Sequence, residues 1–150
     1  MGQVTRVEDM PVYGSMYNLA LQVEKVTRAF PHDFKWLRNQ VLRSSESVPA
    51  NMTEGFYAQY STEYLQSLYR CRREARETMT HIKYAADVKM LEASCVTPLL
   101  EEYEGALTGL SSLIASIERK VRAHGKAKPG AVREDHVGYM DEPANMSHQS

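Results

Sequence analysis

The chain has 150 residues, 43% of them hydrophobic and 25% charged, with a formal net charge of −1. That length supports one domain with a single core, and the composition is that of a globular protein. No apolar run approaches the ~18 residues of a membrane span, and the balance is far from the strongly basic profile of an obvious nucleic-acid binder.

The charge is unevenly spread. Residues 13–128 carry 16 Lys and Arg against 13 Asp and Glu, whereas residues 129–150 carry Arg133 against Glu134, Asp135, Asp141 and Glu142. The body is mildly basic and the ends are acidic. The opening "MGQVTRVEDMPVYG" lacks the charged-then-apolar layout of a secretion signal. Arg6 stands where a myristoylation motif needs Ser or Thr. A cytoplasmic location is expected. Cys71 and Cys95 form no CxxC pair, and both are expected as buried free thiols.

Residues 1–12 show no periodicity and are expected to be a flexible N-terminal segment. From Tyr13 the apolar residues Met16, Leu19, Ala20, Val23, Val26 and Phe30 recur in helical steps, up to Pro31. A second helix is expected from Asp33 as N-cap, with Phe34, Leu37, Val41, Val48, Met52 and Phe56 in phase. The phase persists through Pro49, which predicts a kinked helix, with Gly55 near its end. A third helix is expected from Ser61 or Thr62 to about Leu91, with a stripe of Tyr64, Leu68, Cys71, Ala75, Ile82 and Ala86. In the fourth, Thr97 reads as N-cap and Pro98 as the first helical residue, with Glu101, Glu102 and Glu104 at the positive end of the dipole. Leu100, Tyr103, Leu107, Leu110, Ile114, Ile117 and Val121 follow, and Gly125 reads as the stop. Val96 and Leu99 are expected outside the core. The remaining text, 126–150, is polar and aperiodic and is expected to be a flexible tail. The prediction is an all-α, up-down antiparallel four-helix bundle over 13–125.

One phrase is unusual for a bundle helix: "NQVLRSSESVPANMTEGF", Asn39–Phe56. With "FP" at Phe30–Pro31 and "STEYLQSL" at Ser61–Leu68, it resembles the four-helix bundle proteins encoded in intervening sequences of bacterial 23S rRNA genes. Gln40, Arg43, Ser44, Ser47, Val48, Pro49, Asn51, Glu54 and Gly55 fill the places of that family's phrase, and Glu77 matches its acidic position on helix three. The similarity covers roughly Met16 to Ile117. It implies an up-down bundle commonly assembled as a homopentamer. A relative of the family, the accessory variability determinant of diversity-generating retroelements, partners a reverse transcriptase and its template RNA. Two features depart from the pattern. Arg73 and Glu74 replace a small pair on helix three, which argues against close helix approach there, and the acidic tail is additional.

The candidate chemistry is binding rather than catalysis. Arg43, Ser47, Pro49, Asn51, Glu54, Gly55 and Glu77 form a structural polar motif, expected as a buried network between helices two and three. Ser44, Ser47, Asn51 and Glu54 are expected to satisfy the polar groups around Pro49. Arg70, Arg72, Arg73 and Arg76 are candidate phosphate contacts, because arginine forks match phosphate oxygens. Glu74 and Glu77 lie four residues beyond Arg70 and Arg73 and are expected to pair with them, while Arg72 and Arg76 share a face without an acid. Arg119, Lys120, Arg122, Lys126 and Lys128 form a second candidate basic segment. Tyr57, Tyr60, Tyr64 and Tyr69 suit packing or subunit contact. No catalytic constellation, cofactor motif or metal-ligand spacing is present, the five histidines included. The expected function is a non-enzymatic, oligomeric accessory protein that binds structured RNA or a nucleoprotein partner, a reverse transcriptase being the candidate the resemblance suggests. The alternative is an assembly module without nucleic acid.

Overall fold

A helix with one apolar face must cover that face, and four such helices can cover one another. The computed structural model of the chain describes residues 4–124. They form α1 (Pro11–Val26), α2 (Lys35–Phe56), α3 (Ser61–Asp87) and α4 (Ala93–His124), with short 3-10 turns at Val7–Asp9 and His32–Phe34. No strand occurs among the described residues. Short connections make sequential helices antiparallel neighbours. The α2–α3 seam is the most extensive and the α1–α4 seam the sparsest. The core follows the predicted stripes: Met16, Leu19 and Val23 meet Val41, Val48, Met52 and Phe56, and then Leu68, Cys71, Ile82, Leu110, Ile114 and Ile117.

The termini of the elements depart from expectation, each for a physical reason. Residues 4–12 are ordered rather than flexible. Val4, Val7, Met10 and Val12 are buried, and the Val7 amide donates to the Tyr57 hydroxyl at 3.2 Å. Spaced by two and three residues, these apolar side chains follow a 3-10 turn, a period that a helix-or-strand reading misses. α1 opens on Pro11, which takes the first helical position. It ends at Val26, short of Phe30, where Thr27 Oγ1 donates back to the Val23 carbonyl at 2.9 Å. Asp33 lies in the 3-10 turn and does not cap α2. At α3 the N-cap is Tyr60, and the Glu63 carboxylate accepts the Gln59 and Tyr60 amides.

α3 stops at Asp87, not Leu91. Lys89 turns left-handed at φ 69°, the Met90 amide bonds the Ala85 carbonyl at 2.8 Å, and the Lys89 amide bonds Ala86 at 3.0 Å. This is a Schellman stop with lysine where glycine is usual, so no residue type announces it. α4 in turn begins at Ala93, upstream of Thr97, and carries Pro98 within its second turn. The early start buries Val96 and Leu99, which were expected outside the core. That apolar burial outweighs the bond that Pro98 cannot make. The predicted stop at Gly125 and the tail 126–150 lie outside the described residues.

Lys89→Gly relieves the left-handed strain, and the expected result is a gain of about 0.5–1 kcal/mol in urea unfolding. A loss would show that the lysine side chain matters more than the backbone strain.

Candidate nucleic-acid interface

Proline inside a helix removes one amide, and the carbonyls of the turn around it need other donors. α2 nevertheless runs unbroken through Pro49. Ser47 Oγ donates to the Ser44 carbonyl at 2.7 Å, and Asn51 Nδ2 to the Ser47 carbonyl at 2.7 Å. Thr53 Oγ1 reaches the Pro49 carbonyl at 3.0 Å. From α3, the Cys71 thiol donates to the Val48 carbonyl at 3.2 Å. Burial pushes that thiol up to about 12, so it stays protonated and unreactive. Ser44 Oγ and Thr78 Oγ1 lie 2.7 Å apart inside the same seam. Thr53, Cys71 and Thr78 were not among the residues expected to satisfy this turn. The Cys71 and Thr78 atoms become relevant only once α3 lies against α2, whereas Thr53 bonds a carbonyl of its own helix.

Glu54 is not part of this network. It is exposed and lines an open notch of about 460 Å³ with Glu63, Gln66, Ser67 and Arg70. Glu77 is also not buried. It is paired with Arg43 of α2 and approached by His81 Nε2 at 3.2 Å.

Gly55 explains how the two helices come so close. A Cβ at this position would stand 2.6 Å from Ser67 Cβ and 2.9 Å from its hydroxyl. The close approach that Arg73 and Glu74, at the middle of α3, argue against therefore occurs nearer its N-terminus, at Ser67.

The arginine pairings differ from the expected i,i+4 pattern. Glu74 and Glu77 both turn to Arg43, Glu74 at 3.3 Å, instead of to Arg70 and Arg73. Arg70 donates to Asn51 Oδ1 at 3.2 Å. Arg76, expected without an acid, reaches across to Glu104 of α4 at 2.9 Å. Arg72 lies over the Tyr69 ring at 5.3 Å. The Tyr69 hydroxyl bonds Glu118 of α4 at 2.5 Å. That bond raises its pKa and burial adds to the rise, whereas the nearby charges of Arg72 and Arg122 oppose it. Tyr69 thus marks where the two predicted basic segments, 50 residues apart in sequence, converge across the α3–α4 seam.

Not all of the second segment belongs there. Lys120 is buried at 3% exposure, inside the bundle end, and is withdrawn from any surface. Arg119 is half-buried, Arg122 is exposed, and Lys126 and Lys128 lie outside the described residues. The tyrosines also divide. Tyr64 is core and Tyr57 is half-exposed with its hydroxyl on Val7.

The consequence is a segregation of charge. The exposed residues of α3 between positions 72 and 84 are Arg72, Arg73, Arg76, Thr80, Lys83 and Tyr84, with no carboxylate among them. Arg76 and Lys83 hold exposed ion pairs with Glu104 and Asp87. Pairs so open to water contribute little to stability. Among the described residues, no group of three or more His, Cys, Asp or Glu is placed to hold a metal ion. No helix among them is long and apolar enough to cross a membrane.

The bundle, the Pro49 phrase and its α3 partners coincide with a family match over most of the chain. The model of the 23S rRNA-intervening sequence protein family matches residues 8–112. The chain belongs to this family. No curated protein matches the sequence. Both the Gly55 contact and the Arg43 pairings fall inside the matched span, whereas Arg119 and Arg122 fall beyond it.

Two glycines test the close approach. Gly55→Ala is expected to destabilise the chain by about 1–3 kcal/mol through overpacking. Gly105→Ala, whose new Cβ meets nothing within 4 Å, is expected to stabilise it by about 0.5–1 kcal/mol. Equal effects of the two in denaturant melts would remove the argument for a tight α2–α3 seam.

Proposed function

We propose that this protein acts by binding rather than by catalysis, as an accessory factor that holds RNA along the outward face of α3. The observation that supports this reading is the carboxylate-free stripe from Arg72 to Tyr84, joined by Arg122 at Tyr69. Planar guanidinium groups suit phosphate oxygens, and Arg72 is already held in place by an aromatic ring. The family's description as a 23S rRNA-intervening sequence protein agrees with an RNA setting. A nucleoprotein partner, a reverse transcriptase in particular, fits the same reading through the resemblance to the accessory variability determinant.

A second reading, assembly, is favoured by a separate surface. Tyr17 and Leu21 of α1 are 47% and 54% exposed. With Ala20, Leu42 and Pro49 they line an apolar groove of about 350 Å³ between α1 and α2. That groove lies across the bundle from the α3–α4 seam. A contact between two different faces of identical chains is head-to-tail and closes into a ring when the rotation permits. A homo-oligomer, with a pentamer as the specific case, repeats a modest basic stripe around an axis and strengthens it through multivalency.

The RNA reading is tested by a salt titration. Binding to single-stranded RNA is expected to weaken linearly on a log–log plot, and Arg72→Ala with Arg73→Ala should lower the slope by about 0.7 per lost phosphate contact. Arg43→Ala should also weaken binding, because it frees Glu74 and Glu77 towards the stripe. An unchanged slope in all variants would reject the α3 face. Leu21→Glu should convert the assembly to monomers in light scattering and leave the fold intact, whereas a wild-type monomer would reject assembly.

A further inference from the structure

Trp36 is the chain's single tryptophan, and it is 51% exposed on the first turn of α2. Tyr84, on the last turn of α3, is 44% exposed. The two rings meet edge to face, with centroids 5.9 Å apart and planes at 63°. Two half-exposed aromatic rings held by different helices are costly to leave wet, since each offers a large apolar area. Their relative position is set by the α2–α3 seam, so the pair is organised before any ligand arrives.

The surroundings narrow the ligand. Exposed Lys35 and Lys83 precede the two rings in the chain. Exposed Asp33 lies three residues before Trp36 and exposed Asp87 three beyond Tyr84, with Asp87 paired to Lys83 at 3.3 Å, and Asn39, Gln40 and Thr80 are exposed within one turn of the rings. None of these is aliphatic. The α1–α2 groove differs, because Leu21, Leu42 and Pro49 surround its tyrosine. An aromatic pair rimmed by amides, a hydroxyl and charges of both signs suits a flat, polar-edged ligand better than an aliphatic protein face, and the phosphates of such a ligand fall to the α3 arginines rather than to this rim. Along α3, Tyr84 lies 15 residues beyond Tyr69, which is about 22 Å of rise and roughly 60° of rotation. Both aromatic sites thus border the side of α3 that presents the basic stripe.

We infer that the Trp36–Tyr84 pair is a stacking platform for unpaired RNA bases, placed at the end of the α3 stripe that holds the phosphates. The inference rests on the RNA reading above and adds its specificity: single strands or loops over duplex. A duplex keeps its bases stacked on one another and offers the rings no face, whereas an unpaired base stacks on any aromatic surface.

The single tryptophan makes the site its own reporter. Full-length protein is titrated with a mixed-sequence 12-nucleotide RNA strand and with the blunt duplex of that strand. Trp36 emission and the anisotropy of labelled RNA are followed together. The single strand is expected to quench Trp36 and the duplex to leave it unchanged. Trp36→Ala and Tyr84→Ala should each weaken single-strand binding by roughly 5- to 150-fold, the worth of one stacked base, with duplex binding unmoved. Trp36→Phe and Tyr84→Phe keep a ring and should bind nearly as the wild type, which separates stacking from a folding defect. RNA binding with unmoved Trp36 emission and unchanged affinity in the alanine variants overturns the platform and leaves the α3 face standing. Equal quenching by the duplex overturns it, as does an emission change that follows protein concentration without RNA, the mark of a contact between copies. No binding of either RNA overturns both the platform and the RNA reading.

Discussion

The approach of α2 to α3 is the constraint on which the rest of the molecule depends. It is tight where Gly55 faces Ser67, a contact that leaves no room for another Cβ. From there the seam carries Cys71 against the Val48 carbonyl, Ser44 beside Thr78, and Arg43 onto Glu74 and Glu77. Each contact solves a problem that α2 has alone. A proline-containing turn exposes carbonyls, and buried carbonyls without donors are costly. α3 supplies the thiol and packs against the hydroxyl and amide side chains that supply the rest.

The same seam sorts the charges. In an isolated helix, "RCRREARE" would pair its arginines with its own glutamates. Arg43 competes for those glutamates from the neighbouring helix and holds both. The outward side of α3 is left cationic in a chain whose net charge is −1. Net charge is thus a poor guide to this surface, because a patch acts over a Debye length of about 8 Å and not over the whole molecule.

The surfaces assigned to RNA and to assembly occupy different sides of the bundle. The apolar groove belongs to α1 and α2, whereas the arginines and Tyr69 belong to α3 and α4. Both proposed contacts can therefore be made by one chain at once. A ring built through the groove multiplies the basic stripe provided that the second face of the head-to-tail contact is not the outward side of α3, and affinity would then come from repetition rather than from charge density.

Much of the architecture was legible in the residues. Apolar side chains at three- and four-residue steps are a local property, and Met16–Leu19–Val23 or Leu107–Leu110–Ile114–Ile117 state which face is buried without reference to any neighbour. The Pro49 phrase was legible as an internally bonded turn for the same reason, since Ser47 and Asn51 bond carbonyls of their own helix. Helix ends were less so. Lys89 adopts a conformation that its residue type does not signal, and α4 extends past Thr97 to bury Val96. Which arginine meets which acid, that Lys120 is buried, and that Tyr69 gathers Arg72 and Arg122 were decided only by tertiary structure. A side chain's periodicity is set by its own helix, but its partner is set by the helix packed against it, and several partners compete at similar energies until distance selects one.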